Sequence, residues 1–466
     1  MKTCLCALIL SGWGAHALAD TALTEGNANV ICTYSHRLAD DAILYPGKPG
    51  QAMQHDFFGN VAANGNSTAD SLLAQPASTC ENVADSTAYW VPTLRLANGQ
   101  IISPMYQKTY YTNTAPPGPG HYPTVGFPVG LQMLAGNHMG VAPNPNISFL
   151  CTGRGYTQTA PTACVPDPVN GTQFNIGISF PTCWDGVNLA PKVMINGYNN
   201  MAYADTTGAC PAGYPVRVPH VSLNVAYNVG QVRDLSGAQL SMDPAVDATG
   251  KVTQLNWGSI YSAHGDFFNG WQPQAAQYMA EYCFNKNRDC GRAVAYSYTE
   301  ASADAFVAGG THHASNTGSA PTLTVQAALG DTPKSVIYLK FNIPAGAERF
   351  GTAFTPVYRL SLYGGNATST DARTIYFYNT ADTWDEHSIT LDNAPACGSK
   401  AGSLYLDNAK QYRDADVSAA VKAALQAGKT QISFCVQGGG DGNAFNFDSK
   451  DSGNKPVLYL YGDNPI

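Results

Sequence analysis

The sequence predicts an all-β protein made of two units. The first is a loop-rich, disulfide-stapled β-sandwich-like unit, and the second is an antiparallel, jelly-roll-like β-sandwich. Three observations carry this. Charged residues make up 12% of the 466 residues, against about 25% in an average globular chain, while 46 Gly, 29 Pro and 26 Tyr favour short strands joined by many turns. The cysteines that follow the N-terminal segment are even in number, as a disulfide framework requires. From Tyr296 onward, short runs of alternating apolar residues recur between turn residues, the signature of an antiparallel sandwich.

Lys2 precedes an apolar stretch, residues 5–18, and Ala17-Leu18-Ala19 forms an A-x-A cleavage site before Asp20. Residues 1–19 therefore read as a signal peptide and the protein as an exported one, secreted or periplasmic. Ser11, Gly12 and Gly14 break the stretch, which is too short to span a bilayer, and no later segment reaches spanning length. Cys4 and Cys6 leave with the signal. The rest, Cys32, Cys80, Cys151, Cys164, Cys183, Cys210, Cys283, Cys290, Cys397 and Cys435, predict five disulfides. Cys283 and Cys290 can close a small loop, and Cys397 pairs with Cys435 as the two cysteines of the last third. The pairing of the other six stays open, and without a CxxC pair a zinc site is disfavoured.

The first unit occupies residues 20–292. Pro/Gly/Asn clusters at 115–120 and 141–146 separate strand-like runs at 89–96, 216–227 and 251–257. A helix is predicted over 273–283, where Ala275, Ala276, Tyr278, Met279 and Tyr282 fall at helical spacing. The second unit, residues 298–466, reads as strands at 303–307, 322–325, 335–341, 358–363, 374–378, 431–437 and 457–461, with one helix at 415–425. No disordered linker separates the units, so they are expected to touch.

The motif with most chemistry occurs twice. Gln54-His55-Asp56-Phe57-Phe58-Gly59-Asn60 is echoed by His264-Gly265-Asp266-Phe267-Phe268-Asn269-Gly270-Trp271. Each copy sets an imidazole and a carboxylate beside apolar rings, and the two read as walls of one cleft. His55 with Asp56, and His264 with Asp266, supply a general acid/base and an orienting carboxylate. Asp185, between Trp184 and Gly186, adds a second carboxylate of the kind that flanks a glycosidic bond. Trp184, Trp271, Tyr89 and Trp90 are candidates to stack on sugar faces. His55, His264 and Asp266 also form a nitrogen and oxygen set that suits a divalent metal, and Asp304 with Asp448 are candidates for a structural calcium. His36, His121, His138, His220 and His387 stand alone and read as structural or surface residues. The net charge of −8 and the lack of any basic run exclude nucleic acid and anionic membrane as partners, and a monomer is expected. Neither a phosphate-binding glycine loop nor a nucleophile elbow occurs.

Residues 298–463 resemble the sandwiches of carbohydrate-binding-module family 96 (DNRLRE-type). The matching pieces are Ser302-Ala303-Asp304-Ala305-Phe306-Val307, Ile337-Tyr338-Leu339-Lys340-Phe341, Thr383-Trp384, Asp392-Asn393-Ala394-Pro395 and Phe447-Asp448-Ser449-Lys450, in that order. The resemblance implies a β-sandwich, some members of which bind polysaccharide. Residues 40–272 resemble domain-of-unknown-function family 1996. Tyr45-Pro46-Gly47, His55-Asp56-Phe57-Phe58-Gly59, Tyr89-Trp90-Val91-Pro92, residues 130–137, Phe180-Pro181-Thr182-Cys183-Trp184-Asp185-Gly186, Cys210-Pro211 and the second histidine motif carry it. The family pattern implies three further imidazoles where this chain has Met53, Asn200 and Tyr214. Together the resemblances suggest an exported polysaccharide-active protein, cleaving glycosidic bonds by hydrolysis or β-elimination. The alternatives are a non-catalytic glycan-binding or matrix protein and a metal-dependent oxidative enzyme.

Overall fold

Short strands with apolar residues at alternating or successive positions fold the chain as layered sheets with few helices: Ile147–Cys151 buries alternate side chains, whereas His55–Gly59, Ala88–Pro92 and His264–Phe268 are buried on both faces. The structure, a computed structural model, describes residues 25–464 apart from 119, 170 and 331–333. The expected signal peptide, residues 1–19, lies outside the described residues. The all-β prediction holds, with several sheets, a half-barrel and five disulfides.

The N-terminal half is organised by one long antiparallel path. It runs Gln132–Gly136, His264–Phe268, Ala88–Pro92, His55–Gly59, Asn27–Leu38, Pro104–Thr112, His220–Asn228, Gln173–Ser179, Ile147–Cys151. Asn27–Leu38 bends the sheet, because its first half pairs with Pro104–Thr112 and its second with His55–Gly59. The predicted helix forms as an α-helix, Pro273–Tyr278, that widens into a π-helical segment, Met279–Phe284. Proline starts it without losing an intrahelical bond. Its buried face (Ala275, Ala276, Tyr278, Met279, Tyr282) is the one that the spacing marks.

The C-terminal half contains the predicted strands, with bounds that widen by a few residues, such as Thr355–Asn366 and Arg373–Thr380. Lys400–Leu406, Gln411–Asp416 and Ala444–Asp448 are additional. The helix runs Ser418–Gln426, so Ala415 belongs to a strand. Asp416 Oδ1 accepts from the Ser418 N–H at 2.9 Å, satisfying one of the free N–H groups of the first turn. The halves meet through a tyrosine cluster, with Tyr278 packed at a tilt against Tyr298 and Tyr459, and through an ion pair between Arg288 and Asp414.

The disulfides Cys283–Cys290 and Cys397–Cys435 form as expected. The six cysteines left open pair with their sequence neighbours: Cys32–Cys80, Cys151–Cys164 and Cys183–Cys210.

Candidate functional site

The two histidine motifs flank a single strand. Ala88–Pro92 pairs with His55–Gly59 on one edge and with His264–Phe268 on the other, so Trp90 lies between Phe57 and Asp266, and Tyr89 between Phe58 and Phe267. Side chains alternate between sheet faces with a period of two. His55 and Phe57 therefore share one face, while Asp56 and Phe58 share the other. In the second copy Gly265 is inserted, which places His264, Asp266 and Phe268 together on one face. The register thus gathers His55, His264 and Asp266 on a common face and sends Asp56 to the opposite one.

The three side chains meet. Their ligand atoms lie within 4.8 Å of one another, and the imidazole centroids are 5.9 Å apart, nearly perpendicular. His55 and Asp266 are 0% and 1% exposed, and His264 is 9% exposed. Each imidazole engages a backbone carbonyl through Nδ1: His55 that of Asp40 at 2.9 Å, His264 that of Ser262 at 2.8 Å. A carbonyl only accepts, so Nδ1 carries the proton and Nε2 keeps its lone pair. His55 Nε2 and Asp266 Oδ2 are buried with no hydrogen-bond partner.

Burial dominates the electrostatics. It pushes His55 down to about 4 and, helped by the neighbouring His55 and His138, His264 down to about 3. Burial also raises the Asp266 carboxyl well above its ordinary value, with Asp41 adding to the effect. Asp41 itself is pushed up to about 6 by burial. Beside the centre, Asp243 Oδ2 accepts from the Tyr45 hydroxyl at 3.1 Å, while its Oδ1 is buried and unpartnered.

Several expected site residues stand elsewhere. Asp56 forms a buried ion pair with Arg37, Nε to Oδ1 at 2.7 Å, because Arg37 is its cross-strand partner. Asp185 is committed to its own loop: Oδ1 accepts from the N–H groups of Val187 and Asn188, both at 2.8 Å, and Oδ2 from Asn188 Nδ2 and the Tyr198 hydroxyl. Tyr89, Trp90 and Trp271 are 0–1% exposed, so none offers a ring face to a sugar arriving from solvent. The Tyr89 hydroxyl donates to Asp85 at 2.7 Å, Trp271 Nε1 donates to the Tyr111 hydroxyl at 3.1 Å, and Trp90 stacks on Phe57 at 5.4 Å. Trp184 is half-buried, its Nε1 donating to the Asn188 carbonyl at 2.8 Å.

The positions where the family pattern implied imidazoles do not contribute ligands to the centre. Asn200 Nδ2 donates to the carbonyls of Gln132 and Asn188, the Tyr214 hydroxyl donates to that of Asn199, and Met53 is buried. The expected pairing of Asp304 with Asp448 is not formed. Asp304 lies with Glu386 and Asp451, its Oδ2 accepting from the Lys450 N–H at 2.6 Å while the Lys450 ammonium pairs with Glu386 and Asp451, and Asp448 instead accepts from Asn454 at 2.8 Å.

Other residues near the centre are not singled out by the sequence. His138, read as isolated, has its ring 6.4 Å from that of His264. It is exposed on the loop beside Gly136, the cross-strand partner of His264. This loop and Tyr261 line an open surface groove of about 380 Å³ that continues along Val141, Pro143 and Pro145. In the C-terminal sandwich, Arg373–Thr380 buries Ile375 and Phe377 and turns Tyr376 to the outer face, which Tyr405 shares by register. Tyr405 is 70% exposed, and Lys400 Nζ lies 4.4 Å from the Tyr376 ring centre. The alternation Thr374-Ile375-Tyr376-Phe377-Tyr378 is the signal that marks these outward rings.

Comparison with known families follows the same division of the chain. Residues 41–271 match the family described as Domain of unknown function (DUF1996), and residues 295–462 match Carbohydrate-binding module family 96. No curated protein matches the chain.

Proposed function

We propose that this chain, a DUF1996 domain followed by a carbohydrate-binding module of family 96, is an exported protein that cleaves glycosidic bonds in polysaccharide held by its own C-terminal module. Binding of carbohydrate rests on the module. The outer face with the exposed Tyr405 and the half-buried Tyr376 supports it, since tyrosine rings on a sheet face match the apolar faces of sugars. Tethering raises the local concentration of glycan at the other half of the chain.

One observation carries the catalytic part of the reading. His55, His264 and Asp266 come from two strands that are not neighbours, yet they converge with a buried nitrogen and a buried carboxyl oxygen left unpartnered. Structural polar groups are normally satisfied. Two imidazole lone pairs and a carboxyl group in one centre are the atoms that proton transfer at a glycosidic oxygen, or at the carbon beside a uronate, requires. The groove lined by Asn137, Met139 and Tyr261, on the loop that carries His138, offers a surface of a size to hold part of a glycan chain. A purely binding role is favoured by the burial of Tyr89, Trp90 and Trp271, which leaves the N-terminal centre without a stacking ring.

The test is a panel of neutral and uronate-containing polysaccharides, assayed for new reducing ends and for the ultraviolet absorbance of unsaturated uronates. Turnover that is lost in His264→Gln, with the fold retained, supports cleavage. Binding without turnover across the panel overturns it in favour of the binding role. Replacing Tyr376 and Tyr405 together by Ala should weaken glycan affinity about ten-fold, the loss of about 1.4 kcal/mol of stacking. Unchanged affinity would remove that face from the reading.

A further inference from the structure

We infer that His55 Nε2, His264 Nε2 and an Asp266 carboxylate oxygen bind one divalent first-row transition-metal ion. The inference goes beyond glycan cleavage and does not depend on it.

Four features of the geometry point to a metal. The first is the donor set: two imidazoles and one carboxylate, with ligand atoms within 4.8 Å of one another, so that a small inward shift of the side chains brings all three to the distance of about 2 Å at which first-row ions coordinate. Nitrogen and oxygen donors of this kind suit zinc and non-haem iron, and they suit calcium or magnesium poorly. The second is the orphaned atoms. His55 Nε2 and Asp266 Oδ2 are buried without a partner, and a buried polar atom left unmatched costs about 1–3 kcal/mol. An ion between them satisfies both at once.

The third is the outer shell. Each imidazole is fixed through Nδ1 by a backbone carbonyl, Asp40 for His55 and Ser262 for His264. That contact selects the tautomer with a free Nε2 and orients the ring, as second-shell groups do for metal-bound histidines. The fourth is charge. The carboxylates of Asp40 and Asp243 act on His55, and that of Asp41 on Asp266, a negative surrounding that offsets part of the cost of burying a cation. With three protein donors the ion retains open positions for water or a ligand oxygen. His138, exposed and 6.4 Å from His264 between ring centres, stands where the site nears solvent.

The test uses the whole chain without an affinity tag, stripped with chelator and titrated with Zn²⁺ by calorimetry, then with Co²⁺ followed by its visible absorption. One equivalent of Zn²⁺ per chain, with Co²⁺ bands of the intensity that nitrogen ligation in low coordination gives, is expected. Asp266→Asn and His264→Gln should each weaken Zn²⁺ binding at least ten-fold, whereas His387→Gln, on the exposed surface of the other half, should not. Absence of a stoichiometric site in the unmodified protein overturns the inference, and so does undiminished binding in both centre variants. Because no polysaccharide is present, failure to cleave glycan leaves this outcome unaffected. If a centre variant does not fold, the titration of the unmodified protein and its rise in melting temperature on adding Zn²⁺ decide the matter.

Discussion

The strands His55–Gly59 and His264–Phe268 carry almost the same residues and use their carboxylates in opposite ways. Both pair with Ala88–Pro92, and both end in apolar residues that pack against it. In the first, aspartate follows histidine directly, so it points through the sheet and neutralises Arg37. In the second, Gly265 separates them, and aspartate joins the histidine on its own face. One inserted residue therefore decides whether the carboxylate faces Arg37 or the two imidazoles. The lesson is that in a strand the parity of spacing decides which chemistry two neighbouring residues share.

The strongest way to break the comparison is to erase the difference at Gly265. This residue occupies the position that Asp56 holds in the other copy. A Cβ placed there would lie 3.0 Å from Ile178 Cδ1 and 3.3 Å from Phe180 Cζ. Gly265→Asp would put a carboxylate into that apolar packing with no guanidinium to meet it. Expected is a loss of about 3–5 kcal/mol, seen as a fall of about 5–10 °C in melting temperature or as failure to accumulate folded protein. A melting temperature close to that of the parent would mean that this face is not dry and that the assignment of faces is wrong.

Removing the carboxylate from the first copy comes next. Asp56→Ala leaves Arg37 half-sheltered without its partner. Breaking such a pair costs about 2–4 kcal/mol, less than for a wholly buried one because Arg37 is 23% exposed. Thermal or urea unfolding reads the change. The double change Arg37→Met with Asp56→Leu should recover most of it, since apolar residues of similar volume replace a buried pair at little cost. Zn²⁺ binding should persist in the double variant, because neither residue belongs to the centre.

Much of this architecture is legible in the sequence. The strands 303–307, 322–325 and 335–341 were marked by turns and alternation, and the cysteine count led to five bridges. Lys400–Leu406 was not marked because Gly402 and Ser403 interrupt its apolar pattern, and it forms by pairing with Arg373–Thr380. At the site, the histidines were legible but the parity between them and the aspartates was passed over, although His-Asp against His-Gly-Asp states it. Tyr89, Trp90 and Trp271 are candidates for sugar stacking in the sequence and prove buried, because an aromatic residue in a sequence does not say which side of a sheet it takes. Asp185 followed a known turn pattern instead: an aspartate accepting from the N–H groups two and three residues on. His138 and Asp243 are brought to the centre by the fold alone, from segments with no motif of their own.

The smallest effect, and the sharpest contrast, is expected at the carboxylate of the second copy. Asp266→Asn is the formal counterpart of removing Asp56, yet no cation faces Asp266, and burial already holds its carboxyl toward the neutral form. An amide of the same shape has lone pairs of His55 and His264 close by to receive its N–H groups. Metal-free protein should therefore change by less than about 1 kcal/mol on this substitution. The variants separate when Zn²⁺ is added. Parent protein saturated at one hundred times its dissociation constant gains about 2.7 kcal/mol, and Asp266→Asn should gain little of it. A large loss of stability in the metal-free variant would assign Asp266 a structural role like that of Asp56 and dissolve the contrast between the two strands.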